Sequence, residues 1–257
     1  MIDKFFFNEN QNCIDFLLPD ELKNIFFAKF YLKTKDGNEE FNGELLGSQS
    51  YNFNKIKIIT PKQVHMTNII YATGKNSFPA RPEADGILID KNSDTLASLR
   101  FADCTPVLIA GTSPAPWMLL LHSGFNGTLE NIVFNSIKSS SVTQHLDVSN
   151  LNKVWAWIGP SICKKCYSRQ ENDPKTICAM QRFDKNNFLL NDKLVYFDIR
   201  AEISCQLQNI GCSKEQIFIN YDCTFCNNEK YFSYRAGDLL NRMSLIAGDI
   251  KLLKHIK

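Results

Sequence analysis

The sequence predicts a mixed α+β fold in a single domain over residues 1–257, and three features of its patterning point there. Short apolar and β-branched runs bounded by Gly, Pro, Asn or Asp recur along the chain and read as strands. Stretches with helical spacing are scattered among them without the strict alternation of a doubly wound sheet. No internal repeat or long linker divides the chain. With 44% hydrophobic and 22% charged residues it can bury a sizeable core, which excludes a disordered chain.

Taken in order, the first fifty residues are loosely patterned around a turn-like Lys35–Asn38 and give no definite elements. Strands are expected at Lys55–Ile59, Gly86–Asp90, Thr95–Phe101, Pro106–Ala110, Trp117–His122, Lys153–Ile158 and Gln216–Asn220. Thr128 is placed to cap a helix whose Leu129, Ile132, Val133 and Ile137 share a face, with Glu130 near the positive end of its dipole. Ser139–Ser141 reads as a turn. Asp198 precedes a second helical stripe of Ile199, Ile203, Leu207 and Ile210, and Gly211 stands where a left-handed cap would end it.

Composition narrows the function. No apolar run approaches the roughly 20 residues of a membrane-spanning helix, so no membrane partner is expected. The 29 Lys and Arg against 27 Asp and Glu supply no broad basic field, which argues against nucleic acid. The N-terminal segment has no cationic leader, and a cytoplasmic location is expected. Nine cysteines, an odd count in a chain of this length, favour thiols and metal ligands over a disulfide framework.

His65, Cys104 and His122 each lie at or just beyond the end of an expected strand, where a sheet presents side chains to a shared cleft. Two imidazoles and one thiolate suit zinc and leave a fourth tetrahedral position open, the arrangement of a catalytic site. One thiolate leaves the ion net positive and able to acidify water. On spacing alone the commoner reading of the same residues is two core histidines and a buried cysteine, since Cys is among the most buried residue types. A metal-free reading makes Cys104 a nucleophile and His122 its base, with Asp103 or another carboxylate orienting the imidazole.

The segments KQVH, ADG (Ala84–Gly86), FADCTPV, HSGFNGT, WIGPSICKKCY and CTFCNNEKYFSYR follow one another as in the laccase-domain purine nucleoside phosphorylases, once labelled multicopper polyphenol oxidases, and the chain resembles that family over roughly residues 55–247. The resemblance implies a layered α-β-β-α arrangement with two central sheets flanked by helices. It implies zinc held by His65, Cys104 and His122, with Cys104 also a catalytic group. It further implies phosphorolysis of purine nucleosides, deamination of adenosine, and as partners a purine nucleoside and, for phosphorolysis, phosphate. The older laccase label fails on ligand supply, because a multicopper centre needs far more imidazoles than His65, His122, His145 and His255. A single copper with Met118 as weak axial ligand is the alternative ion, since strand alternation puts Met118 and His122 on one face.

The chain departs from the family pattern at the phosphate anchor. Where the family reads HAGWRG, this chain has Phe125 for Trp and Asn126 for Arg, and a neutral amide is a weaker oxyanion anchor than a guanidinium fork. The family's early Arg-Gly-Gly turn is missing from residues 27–50, and Ala236 replaces an Arg after Arg235. Lys62, Arg81 or Arg100 are candidate substitutes. Asn126 and Asp85 are expected to contact substrate, Arg235 to supply the retained guanidinium, and Asp103 or Asp85 to move protons in a deamination. Tyr234 and Phe232 read as core packing or as nucleobase-stacking surfaces.

Two further pairs, Cys163/Cys166 and Cys223/Cys226, have the spacing of half-sites of a structural Cys₄ zinc. The long gap between them and their place inside family motifs argue against a shared ion, and no thioredoxin-like unit supports a redox dithiol. Besides a zinc enzyme, two functions stay open: a degenerate metal-binding or interaction module, and a cysteine hydrolase without metal.

Overall fold

The computed structural model describes residues 4–33, 52–53, 56–72, 81–138 and 153–256. Lys35–Asn38, Ser139–Ser141 and His145 lie outside them.

The N-terminal third builds β1 (Phe5–Asn8), β2 (Cys13–Phe16), the short helix α1 (Asp20–Lys23), β3 (Phe26–Tyr31), β4 (Asn52–Phe53), β5 (Ile56–Ile59) and β6 (Ile69–Tyr71). The centre contains β7 (Gly86–Asp90), β8 (Thr95–Phe101), β9 (Thr105–Gly111) and β10 (Trp117–Ser123), then α2 (Phe125–Leu129), α3 (Ile132–Lys138) and β11 (Val154–Ile158). The last third holds β12 (Ser168–Gln170), α4 (Pro174–Arg182), β13 (Phe188–Asn191), β14 (Leu194–Phe197), α5 (Ile199–Asn209), β15 (Ile217–Ile219), β16 (Met243–Asp249) and a closing 3₁₀ turn, Ile250–His255.

A seven-stranded sheet runs in the order β1-β2-β3-β16-β8-β5-β4, a six-stranded sheet β15-β11-β9-β10-β7-β6, and a small third sheet β12-β14-β13. The fold is mixed α+β, as the strand and helix patterning predicts. The two large sheets face each other across one core, to which β8 contributes Ala97, Leu99 and Phe101 and β10 contributes Met118 and Leu120. The alternate residues Leu119 and Leu121 of β10 point the other way, into a second core under α2, α3 and α5. That is why β9 and β10 are buried along their whole length and read as continuous apolar runs. The outer face of the seven-stranded sheet is covered by the closing turn through Ile250, Leu252, Leu253 and Ile256.

Local chemistry explains where elements stop. Asp198 caps α5 by accepting from Ala201 N, and the helix ends as expected: Gly211, at φ +106°, lets Cys212 N donate to Leu207 O and its own N donate to Gln208 O. The helix expected after Thr128 differs. Asn131 at φ +53° breaks it into α2 and α3, Thr128 lies inside α2 with its hydroxyl donating to Gly124 O, and Glu130 sits at the C-terminal end of α2, paired with Arg182. The apolar stripe nonetheless packs as its spacing requires, with Leu129, Ile132, Val133 and Ile137 buried.

Candidate metal centre and cleft

Between β8 and β9 the chain passes from one large sheet to the other, and Ala102–Cys104 make that crossing. Asp103 turns the corner at φ +79°, a region few non-glycine residues occupy. Its side chain is pinned there: Oδ1 accepts from Thr224 Oγ1 at 2.6 Å and Oδ2 from Arg235 N at 2.8 Å. Cys104 follows directly, at the open edge of the inter-sheet core. His122 stands near the end of β10, opposite Pro106 of β9, and His65 lies on the loop after β5. One ligand atom from each of His65, Cys104 and His122 falls within 4.8 Å of the others, and the two imidazole rings meet edge to face at 4.9 Å.

A buried carboxylate organises the three. Asp85 is fully buried and accepts from His65 N at 3.0 Å, Met66 N at 2.9 Å and Val64 N at 3.1 Å, while its Oδ1 lies 2.8 Å from His122 Nδ1. One side chain therefore both holds the His65 loop, with His65 itself at φ +60°, and fixes the tautomer of His122. Burial alone would raise Asp85, but the bonds from His122 and the Met66 and Val64 amides keep it below the ordinary carboxylate range. With Asp85 ionised, His122 carries its proton on Nδ1 and leaves Nε2 for the cleft.

The metal-free electrostatics follow from the same packing. Burial pushes the Cys104 thiol up, but His122 and His65 more than offset it and bring it down to about 6. Burial pulls His122 down, and the neighbouring Cys104 and Asp85 reverse that and raise it to about 9. A thiolate paired with an imidazolium results, the deprotonated sulfur a metal requires. The site also has room: a Cβ on Gly124 would stand 2.8 Å from Cys104 Sγ and 3.3 Å from His65 Cδ2, so only glycine leaves these ligands undisturbed. These three side chains thus form a possible metal-binding site whose donor set fits the expected ion.

The site forms the floor of a cleft of about 720 Å³. Its walls hold more cations than the sequence suggests. Arg100, Arg169, Arg235 and Arg242 all line it, with Asp103 the one carboxylate among the described lining residues. Arg169 stacks on Phe125 at 4.3 Å and Arg235 on Tyr167 at 4.9 Å, and Arg235 Nη2 donates to Ser168 O. Asn126 lines the cleft, and its Oδ1 accepts from Lys175 Nζ at 3.1 Å, which puts an ammonium beside the position where the family carries Arg. Arg169, Tyr167, Arg242 and Lys175 were not legible as site residues. Only their position just after the Cys163–Cys166 motif could have drawn notice to Tyr167 and Arg169.

Other expected positions separate. Asp85 lies behind the histidines, buried away from the cleft lining. Lys62 is an exposed partner of Glu83, and Arg81 is held against the carbonyls of Thr60 and Pro61. Phe232 is in the inter-sheet core, whereas Tyr234, 56% exposed, lines the cleft. Met118 is fully buried between the sheets, four strand residues or about 13 Å along from His122, and does not reach the site. This removes the axial-ligand geometry for copper. The four cysteines 163, 166, 223 and 226, despite their separation in sequence, converge in one cluster.

No helix among the described residues is long and apolar enough to cross a membrane. The chain resembles the Bacillus licheniformis protein YfiH in fold, with a TM-score of 0.76 at 18% identity over 95% of this chain and 98% of the other. YlmD of Geobacillus stearothermophilus gives 0.75 at 20% identity, covering 96% and 99%. Among curated relatives, the Escherichia coli K12 purine nucleoside phosphorylase YfiH is 26% identical over 186 residues, 71% of this chain and 70% of its own. A Clostridium acetobutylicum purine nucleoside phosphorylase is 28% identical over 228 residues, 84% and 88% of the two chains. The family model described as multi-copper polyphenol oxidoreductase laccase matches residues 36–247, and the chain belongs to that family.

Proposed function

We propose that the chain is a zinc-dependent enzyme of purine nucleosides, deaminating adenosine and phosphorolysing purine nucleosides in the cleft above His65, Cys104 and His122. The observation that carries this reading is the convergence of those three side chains, with His122 locked by Asp85, at the floor of a cleft large enough for a nucleoside. The names of the curated relatives support the substrate class. Two imidazoles and one thiolate favour zinc.

When bound, zinc supplies a Lewis acid that acidifies water toward a pKa of about 7. The protein's own residues do the rest. Asp85 keeps the Nε2 lone pair of His122 turned to the site, and Gly124 keeps the thiolate and His65 unobstructed. Tyr234, exposed on the cleft wall, offers an aromatic face to a base, while the rings of Phe125 and Tyr167 are already stacked by Arg169 and Arg235. Asp103 is the carboxylate within the cleft, so taking a proton from the attacking water and passing it to the departing ammonia is assigned to it, with Thr224 and the Arg235 amide fixing its oxygens and lone pairs left over. Arg235, Arg169 and the Lys175–Asn126 pair take the place of the missing family Arg as anchors for phosphate.

Purified protein should carry zinc that Cys104→Ala releases, and should convert adenosine without phosphate and inosine with it. Full zinc occupancy with no turnover of any purine nucleoside, with or without phosphate, rejects the enzymatic reading and leaves a metal-binding or interaction module. The thiolate–imidazolium pair backed by Asp85 supports one other reading, a cysteine hydrolase with Cys104 as nucleophile. Chelation separates the two, because thiolate attack survives removal of the metal.

A further inference from the structure

We propose that Cys163, Cys166, Cys223 and Cys226 hold a second zinc ion, a structural staple that fixes the outer wall of the cleft. The four sulfurs all lie within 4.8 Å of one another, with Cys163 Sγ 3.5 Å and Cys226 Sγ 3.4 Å from Cys166 Sγ. Tetrahedral zinc with Zn–S bonds of about 2.3 Å spaces its sulfurs about 3.8 Å apart, so an ion enters with shifts of a few tenths of an ångström. A disulfide needs about 2.05 Å, and Cys166 has two neighbouring sulfurs at nearly equal distance rather than one bonded partner.

The backbone around the cluster suits thiolates. Cys223 Sγ accepts from Cys163 N at 3.2 Å and from Cys226 N at 3.4 Å, so amide dipoles from both turns point at one sulfur. The first turn closes by Cys166 N and Tyr167 N donating to Cys163 O, and the second by Asn227 N donating to Cys223 O. Four thiolates complete a tetrahedron and leave no open vertex, which makes this a structural rather than a catalytic site.

Its position gives it a task. The first pair precedes Tyr167 and Arg169, and the second brackets Thr224, which holds Asp103, and leads to Arg235, which grips Ser168 O. These two loops are far apart in the chain but leave the neighbouring parallel strands β11 and β15, and past the strand ends backbone bonds such as Ser161 N to Asp222 O and Thr224 N to Ser161 O, both 3.3 Å, link them. Clipping them together contributes folding free energy beyond the ends of the paired strands β11 and β15, from which the two loops issue.

The test uses His65→Ala/Cys104→Ala protein, in which the first site is disabled, purified under reducing conditions and loaded with zinc. One tightly bound zinc per chain is expected there and two in the unaltered protein, with loss of one on Cys226→Ser, chosen because Cys226 is exposed. Cobalt loaded into the double variant should show the intense thiolate charge-transfer absorption of a tetrathiolate site. Absence of bound metal in the double variant overturns the proposal. So does tightly bound iron in place of zinc, or recovery of the four cysteines as disulfides from zinc-loaded protein. Because the first site is already disabled, none of these results depends on the activity proposed above.

Discussion

Asp85→Asn is the most informative substitution, because one oxygen-to-amide exchange meets four donors. Asp85 accepts three backbone amides and the Nδ1 proton of His122 and is fully buried. In one orientation the new NH₂ faces Val64 N and Met66 N, leaving two buried donors unpaired at about 1–3 kcal/mol each. In the other it faces His65 N and His122 Nδ1, and His122 must accept there and move its proton to Nε2, the atom the metal needs. Either way zinc affinity should fall about 10–100-fold, the usual cost of losing the group that orients a ligating histidine. Competition against a chromophoric chelator measures the affinity, and thermal unfolding of the metal-free protein measures the stability loss. Wild-type zinc affinity in a folded Asp85→Asn protein would refute the reasoning.

Four further outcomes follow from the geometry. Gly124→Ala should weaken zinc binding at least tenfold while leaving the protein folded, since its Cβ meets Cys104 Sγ at 2.8 Å; unchanged affinity in a zinc titration contradicts this. In chelated protein Cys104 is depressed to about 6, so its thiolate prevails above that pH and is lost as pH falls through it. Alkylation followed by peptide mass spectrometry should show a midpoint near there, and a midpoint near the ordinary thiol value of about 8.5 argues against the ion pair. Met118→Leu, a volume-conserving change in the inter-sheet core, should cost under about 1.5 kcal/mol and leave metal affinity untouched, where an axial ligand would not. Asn126→Arg should raise the phosphate-dependent rate, and Arg169→Ala should lower it more than the phosphate-independent rate; equal effects on both rates tell against a phosphate anchor on this wall.

The strands that carry the site were legible because burial on both faces turns them into continuous apolar runs with turn formers at each end. Gly86–Asp90 and Thr95–Phe101 appear in the structure with the expected limits, and Thr105–Gly111 and Trp117–Ser123 are each only slightly longer than expected. The N-terminal strands were not. Phe26–Tyr31 interrupts its apolar run with Lys29, whose ammonium is buried against Asp15 of the neighbouring strand, a compensation visible only once the two are paired. Met243–Asp249 mixes Ser, Ala and Gly, and Gly248 is there because a Cβ would meet Leu96 Cδ2 at 2.6 Å across the sheet. The corner at Asn131 is likewise a local left-handed conformation that the helical stripe conceals.

At the site, His65, Cys104 and His122 stood out by residue type and position at strand ends, and the structure brings them together. What the sequence withheld was the division of labour among the carboxylates. Asp85 and Asp103 both sit in short motifs beside turns, yet one is sealed behind the histidines and the other faces the cleft, and only the fold distinguishes them. The cationic wall was hidden for a similar reason. Arg169 and Lys175 lie outside the motif that lost its Arg, and the cleft is completed by packing the small third sheet and α4 against α2.

The most direct test of the central claim is anomalous diffraction at the zinc absorption edge from crystals grown with zinc. A peak bonded at about 2.0–2.3 Å to His65, Cys104 Sγ and His122 Nε2 together is predicted. A zinc-loaded crystal with no peak between these three side chains would contradict the account.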